Sequence, residues 1–266
     1  MPTANLGDVE LHFQERGEGH PVLGVMGFGL DQRYWAGQIG PCTEANRFIT
    51  FDNRGVGRST GAMVSTIDEM AHDAVLLLDH LEIERTTLFG ASMGGAIAQR
   101  IALDHPDRVS ALVLAITWAR PIEFMRRQTD LARRVIEIGG SEALVEASLI
   151  WMFTPRFFEI GREVIDQLVS AFFAGSGPEP ATPEVLLAQL DAINKHDVLA
   201  DLGRIQCPTL VAGGKMDVMV PGFAAEEIAA TIPNAELALF ETGHGLMVEE
   251  MEAFNRRLAA FLRATN

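Results

Sequence analysis

The sequence predicts an α/β fold built on a mainly parallel, doubly wound sheet. Three observations predict it. Short apolar runs recur with helix-like stretches between them, as strands buried on both faces beneath crossover helices require. One run, Thr87 to Phe89, breaks on the tight turn Gly90-Ala-Ser-Met-Gly94 and passes at once into Ala-Ile-Ala-Gln-Arg-Ile-Ala-Leu. Two later runs each end in a short loop carrying a titratable residue, Asp217 in one and His244 in the other. Open sheets of this class place their sites on such loops, at the carboxyl edge of the strands.

The elements follow in chain order. Val9 to Phe13, Val22 to Met26 and Phe48 to Phe51 read as strands, the second ending on Gly27-Phe28-Gly29. Thr66 to Leu81 reads as a helix, because Ile67, Met70, Ala71, Ala74, Val75 and Leu78 follow i, i+3, i+4 spacing. Thr66, with Glu69 three residues on, forms a capping box at its start. Thr87 to Phe89 and Ala111 to Ile116 continue the sheet, and Thr209 to Ala212 and Ala235 to Phe240 close it. Residues 118–197 form the longest interruption, helix-like throughout apart from a loop at Gly175 to Pro180. They read as a helical cap inserted after the sixth strand candidate, with 1–117 and 198–266 making the core. The interruption holds Trp118, Phe124, Trp151, Phe153, Phe157, Phe158, Phe172 and Phe173. Most of these pack the cap onto the core, and the rest line an apolar pocket together with Phe28, Trp35, Met93, Met219 and Leu246. Arg126, Arg127, Arg133 and Arg134 stand three or four residues from Glu123, Asp130 and Glu137, and so read as ion pairs on a solvated helix.

The chemistry centres on Ser92. A strand-to-helix turn this tight strains the serine backbone and projects its Oγ outward, and a Cβ at Gly90 or Gly94 would collide with neighbouring chain. The N–H of Met93, at the helix N-terminus, points where an oxyanion would form. Phe28, between two glycines, is the second candidate donor. A nucleophilic serine needs a base and a group to orient it, and Asp217 and His244 follow in the order Ser, Asp, His.

With these features the sequence resembles the α/β-hydrolase superfamily nearly end to end. Phe51-Asp-Asn-Arg-Gly-Val-Gly-Arg-Ser59 is similar to the superfamily's D-x-R-G-x-G-x-S segment. The arrangement resembles small bacterial carboxylesterases, enol-lactonases of aromatic catabolism and aclacinomycin methylesterase-like enzymes. Most of these carry His where Met26 stands here, but the donor that follows is a backbone N–H. The resemblance implies the α/β-hydrolase fold and a serine hydrolase acting on a carboxylic ester or lactone. Ser92, His244 and Asp217 would be its catalytic residues and the N–H groups of Phe28 and Met93 its oxyanion hole. Trp35, Trp118, Trp151, Met219 and Leu246 would contact a largely apolar small substrate. Two alternatives stay open. A C–C bond hydrolase of ring-cleavage products would use the same three residues, although such relatives carry Trp soon after the histidine, where Gly245-Leu246-Met247 stands here. A hydrolase-fold ligand-binding protein would turn over slowly. Ser92 itself excludes the aspartate-nucleophile branches.

Composition bounds the remainder. A chain of 266 residues fits one large domain, or one with an insertion. A net charge of −15 argues against nucleic acid or anionic membranes as partners. No run approaches the ~20 apolar residues of a membrane span, and Met1 to Phe13 lacks the pattern of a secretion signal. Cys42 and Cys207 fit a reducing compartment, so a cytoplasmic location is expected. Gly55 and Gly57 lack the context of a dinucleotide fingerprint, and no His/Cys/Asp cluster has metal spacing. Neither metal nor cofactor is expected, Asp52 and Arg54 read as a structural pair, and oligomeric state is not legible.

Overall fold

The computed structural model describes residues 2–173 and 181–265, without the side chains of Val169 and residues 171–173. The loop read at Gly175 to Pro180 and the side chains of Phe172 and Phe173 lie outside the described residues. Within them, nine strands form one sheet: β1 (Thr3–Asn5), β2 (Val9–Arg16), β3 (His20–Val25), β4 (Asn46–Phe51), β5 (Thr60–Gly61), β6 (Thr86–Ala91), β7 (Val109–Ala115), β8 (Thr209–Gly214) and β9 (Ala235–Phe240). The helices are α1 (Ile39–Thr43), α2 (Ile67–His80), α3 (Met93–Asp104), α4 (Glu123–Met152), α5 (Pro155–Ile160), α6 (Arg162–Phe173), α7 (Pro183–Lys195), α8 (Phe223–Thr231), α9 (Leu246–Glu249) and α10 (Met251–Thr265). None is long and apolar enough to cross a membrane.

The strand order is β1-β2-β4-β3-β6-β7-β8-β9, with β5 on the side of β2. From β4 to β9 every pairing is parallel, while β1, β2 and β5 pair antiparallel. The two strands that sequence reading missed, β1 and β5, have three and two residues, too few to display a period. The long helical insertion leaves the sheet after β7, the seventh strand in the chain and the fifth legible in the sequence, not after a sixth.

Alternation along the parallel strands divides the core in two. Leu88, Leu112, Leu114 and Val211 pack on the face covered by α2 and α3. Phe89, Val113, Leu210 and Ala212 pack on the other face, with Cys42 of α1 and Phe254, Leu258 and Phe261 of α10. Helix α2 begins as its capping box requires: Thr66 Oγ1 accepts the Glu69 N–H at 3.2 Å. The Glu69 carboxylate returns to the Ser65 N–H and the Thr66 hydroxyl, at 3.2 and 2.6 Å, rather than to the Thr66 amide.

The chain changes direction across the sheet between β3 and β6. From β3 it moves to β4 on one side; from β6 onward it fills the other. Open α/β sheets hold their ligands in the crevice at such a point. Val25 is level with Gly90 in the register, so the loops after β3 and β6 leave the sheet side by side.

Candidate active site

Ser92 is the first residue past β6 and sits at φ 53°, ψ −120°. A non-glycine residue there carries strain of about 1–3 kcal/mol and persists only where its surroundings over-determine it. They do here. The Ser92 N–H donates to Ala115 O at 2.9 Å, and the Ser92 carbonyl accepts the Thr117 hydroxyl at 2.7 Å and the Gly95 N–H at 2.9 Å. The glycines leave no alternative packing. A Cβ on Gly90 would lie 2.3 Å from Gly94 O, and one on Gly94 would lie 1.9 Å from Val25 O. Gly95, which sequence reading passed over, has Thr117 Cβ at 2.5 Å from the same position.

Asp217 and His244 arrive from β8 and β9, whose pairing continues into their loops. Lys215 N donates to Phe240 O at 2.8 Å and Met216 N to Thr242 O at 3.0 Å. Gly214 permits that approach, since a Cβ there would lie 2.4 Å from Gly243 O. The Asp217 carboxylate is held at both oxygens. Oδ1 accepts the N–H groups of Met219 and Val220 at 2.7 and 2.8 Å, and Oδ2 faces His244 Nδ1 at 2.7 Å. An ionised carboxylate only accepts, so Nδ1 is the donor facing it, and in the neutral ring the lone pair then sits on Nε2. Nε2 lies 3.0 Å from Ser92 Oγ and can accept its proton.

Two backbone donors are available beside the serine. The Met93 N–H opens α3, and the N–H of Phe28 follows Gly27. Neither has an acceptor among the described residues. The Phe28 loop is braced from three sides. Asn53 Nδ2 donates to Met26 O at 2.9 Å, Gly29 N donates to Gln189 Oε1 of α7 at 2.8 Å, and Gln32 N donates to Asp52 Oδ1 at 2.9 Å. Asp52 and Arg54 are structural but not partners of each other, for Arg54 forks onto Asp73 at 2.8 and 2.5 Å. Burial raises the Asp52 carboxyl above its ordinary range, against the pull of its two backbone donors.

Ser92 and His244 open into a cavity with two arms. Phe28, Leu144, Ser148 and Met219 line both. The larger arm, about 150 Å³, is walled by Tyr34, Val145, Leu149, Phe153, Leu186 and Met247 among others. The smaller, about 80 Å³, has Trp118, Trp151, Met125, Gln128 and Ala132 in its wall. No Asp, Glu, Lys or Arg among the described residues lines either. Groups of three His, Cys, Asp or Glu that could hold a metal are likewise absent among them.

The sequence expectations for this cavity divide. Trp118, Trp151 and Met219 line it, whereas Trp35 and Leu246 do not. Trp35 is 1 % exposed and packs with its ring centroid 4.5 Å from Phe89 and 5.8 Å from Phe48, in the core beneath the sheet. Leu246 is fully buried in the same cluster, and its neighbour Met247 turns to the cavity instead. The Met93 side chain is also core, leaving only its N–H at the site. Within residues 118–197, Phe153 stacks on Phe157 at 5.2 Å and meets Phe158 edge-on at 6.4 Å, while Phe124 is exposed. Arg126, Arg127, Arg133 and Arg134 line neither arm: Arg127 pairs with Glu123 at 2.8 Å, and Arg133 with Asp191 at 2.5 Å rather than with Glu137.

Apart from Trp151, sequence reading missed the wall contributed by α4. A break at Gly140 (φ 70°) starts a new helical stretch, 141–152. Its Ser141, Leu144, Val145, Ser148, Leu149 and Met152 all face the larger arm. Their i, i+3, i+4 spacing was visible, but nothing local said which way the face pointed.

Trp118 is backed by His196, whose ring meets it edge-on at 6.3 Å while Nε2 lies 3.4 Å from Gln99 Oε1. Burial, with a smaller contribution from Arg100, lowers the His196 pKa to about 4. Above the ordinary histidine pKa of 6.5 both folded and unfolded chains hold it neutral. As pH falls from 6.5 to about 4 only the unfolded chain takes the proton, so stability is lost across that window, by about 3 kcal/mol from this residue. The urea midpoint of His196→Gln is therefore expected to fall less between pH 7 and pH 4.5 than that of the parent. Equal falls would remove His196 as the cause.

Comparison with known proteins bears on the family and the fold. The α/β hydrolase fold family matches residues 20–250. A protein of Azorhizobium caulinodans named carbamate hydrolase RutD is 31% identical over 268 residues, covering 98% of each chain. The enol-lactonase from Burkholderia xenovorans LB400 superposes with a TM-score of 0.88 at 27% identity, over 98% of this chain and 100% of its own. A thermophilic esterase from Thermogutta terrifontis does so with a TM-score of 0.86 at 29% identity, over 97% and 94%. The family match runs from β3 to the loop after α9, and relatives with hydrolase names are similar over almost their whole lengths. The chain therefore belongs to the α/β hydrolase fold family and is a hydrolase.

Proposed function

We propose that the protein is a serine hydrolase that cleaves a neutral, largely apolar carboxylic ester or lactone. One observation carries the reading: the unbroken relay from Asp217 through His244 to Ser92 at the fork of an uncharged cavity. His244 Nε2 takes the Ser92 proton as Oγ attacks the carbonyl carbon, and Asp217 holds the tautomer and stabilises the imidazolium. The N–H groups of Phe28 and Met93 stabilise the tetrahedral oxyanion; one such donor is worth about 10²- to 10³-fold in kcat. His244 then returns the proton to the leaving alkoxide, leaving an acyl-Ser92. Water, deprotonated by His244, releases the acid. Every step uses groups of this chain.

Residues 118–197 act as the cap over this centre, and the two arms take the two sides of the scissile bond. The esterase and enol-lactonase names of the structural neighbours support carbonyl chemistry of this kind. The carbamate hydrolase name of the sequence relatives extends it to another linkage with the same carbonyl carbon. A small charged carbamate would find no Lys or Arg among the described residues of either arm, and the chain's net charge of −15 would repel it at long range. The same charge disfavours nucleic acid as a partner.

The test is hydrolysis of p-nitrophenyl acyl esters from acetyl to decanoyl, alongside an acetate series with enlarged alcohols. Turnover is expected to peak at a middle length in each series. Val145→Phe, which fills the larger arm, should shorten the preferred length in one series, and Ala132→Phe, which fills the smaller, in the other. If both variants shift the same series, the two-sided use of the fork is wrong.

A further inference from the structure

Glu249 stands five residues beyond His244, half-buried at the end of α9, and lines neither arm of the cavity. Its carboxylate bonds to two separate parts of the protein. Oε1 accepts the N–H of Gly243, the residue before His244, at 3.0 Å. Both oxygens also lie 3.3 Å from Thr154 N, and Oε2 takes the Thr154 hydroxyl at 2.5 Å. Thr154 sits in the joint between α4 and α5, and Met152 and Phe153 just before it wall the larger arm. On the other side of His244, Gly245 N donates to Met152 O at 2.7 Å. The contact is close enough to need glycine on both sides: a Cβ on Gly243 would lie 2.7 Å from Met152 O, and one on Gly245 would lie 2.5 Å from Phe153 Cδ1.

Both neighbours of His244 are thus tied to the joint 152–154, one directly and one through Glu249. A histidine between two glycines has wide backbone freedom unless something outside removes it. Asp217 fixes one ring nitrogen but leaves rotation and translation about that contact. Thr242 O accepts Met216 N before the loop and Gly245 O accepts Val248 N and Glu249 N after it; at Gly243 N and Gly245 N the restraint comes from the joint and from Glu249.

We infer that Glu249 is a positioning residue that makes the productive placement of His244 depend on the seating of the cap joint beside it. The inference rests on the reading of His244 as the base that activates Ser92. Joint 152–154 and the His244 loop move as one unit, so an event in the larger arm that shifts Met152 or Phe153 also shifts the base. Misplacement by about 1 Å is enough to cost on the order of 10²-fold in rate.

The test uses Glu249→Ala, Glu249→Gln, Thr154→Val, Thr154→Ser and the double variant Glu249→Ala/Thr154→Val, in the full chain. Three quantities are read: melting temperature, kcat and KM on a p-nitrophenyl ester, and the rate at which a small fluorophosphonate labels Ser92. Labelling reports the activated serine without needing the cap to bind an ester. Glu249→Ala is expected to lower kcat and labelling together by roughly 10- to 100-fold, with Glu249→Gln, which keeps one acceptor, falling less. Thr154→Val touches neither Ser92 nor His244, yet should reproduce much of that loss. Thr154→Ser should restore it, and the double variant should be no worse than Glu249→Ala, because both break one linkage. If Glu249→Ala fails to fold, Thr154→Val against Thr154→Ser reads the same coupling. Labelling within about twofold of the parent in folded Glu249 variants, a rise in KM alone, or additive losses in the double variant would each overturn the inference. A parent that the phosphonate does not label would instead overturn the serine-hydrolase reading on which it rests.

Discussion

Ser92→Ala is expected to abolish hydrolysis, with kcat falling by about 10⁴- to 10⁶-fold, while the melting temperature stays close to that of the parent. The two halves of this expectation come from different atoms. Oγ is the group that would attack, and its bond is to His244 Nε2 alone among the described side chains. The strained backbone is held by the N–H and carbonyl of residue 92, through Ala115, Gly95 and Thr117, and alanine keeps both. Alanine also bears the same Cβ at φ 53° that serine does, so the strain is unchanged. Circular dichroism melts and p-nitrophenyl ester turnover on the purified pair check the two halves separately. A variant that keeps more than a few per cent of parental kcat would exclude Ser92 as the nucleophile.

The fold was legible where physics acts locally. Seven strands showed in the sequence because each is a largely apolar run bounded by turn or polar residues. The turn at Ser92 showed because its glycines are required within five residues of one another. Asp217 and His244 could be placed beside Ser92 because parallel topology alone puts the ends of β6, β8 and β9 on one edge. What stayed hidden depends on contacts distant in sequence. Trp35 and Leu246 are apolar residues close to site loops, and hydrophobicity does not distinguish a cavity wall from the core beneath the sheet. Both belong to the core under β3, β4 and β6. The bracing of the Phe28 loop by Asn53 and Gln189 joins residues 27 and 160 positions apart. The Arg54 partner Asp73 lies on α2, not in the motif that contains Arg54. Helix α4 carried a visible stripe, but its direction was set by the break at Gly140 and by the packing of α7 against it.

Asp217→Asn should cost about 10⁴-fold in kcat with little change in structure, and the reason lies in how this carboxylate is held. Oδ1 is fixed by two N–H donors, Met219 and Val220, which demand an acceptor. An asparagine here must turn its carbonyl oxygen toward them, since its NH₂ would face two donors with a third. The NH₂ then takes the place of Oδ2, 2.7 Å from His244 Nδ1. A donor at that position needs a lone pair on Nδ1, which moves the ring proton to Nε2 and points it at Ser92. The imidazole can no longer accept the serine proton, although every heavy atom stays where it was. Raising the pH does not restore the relay, because the defect is a tautomer and not a charge. Asp217→Ala leaves Nδ1 without a fixed partner, so water can select either tautomer, and its loss is expected to be the smaller of the two. Parallel kcat measurements on the two variants decide the point. If alanine is the worse substitution, Asp217 acts chiefly through its negative charge, and the tautomer argument fails.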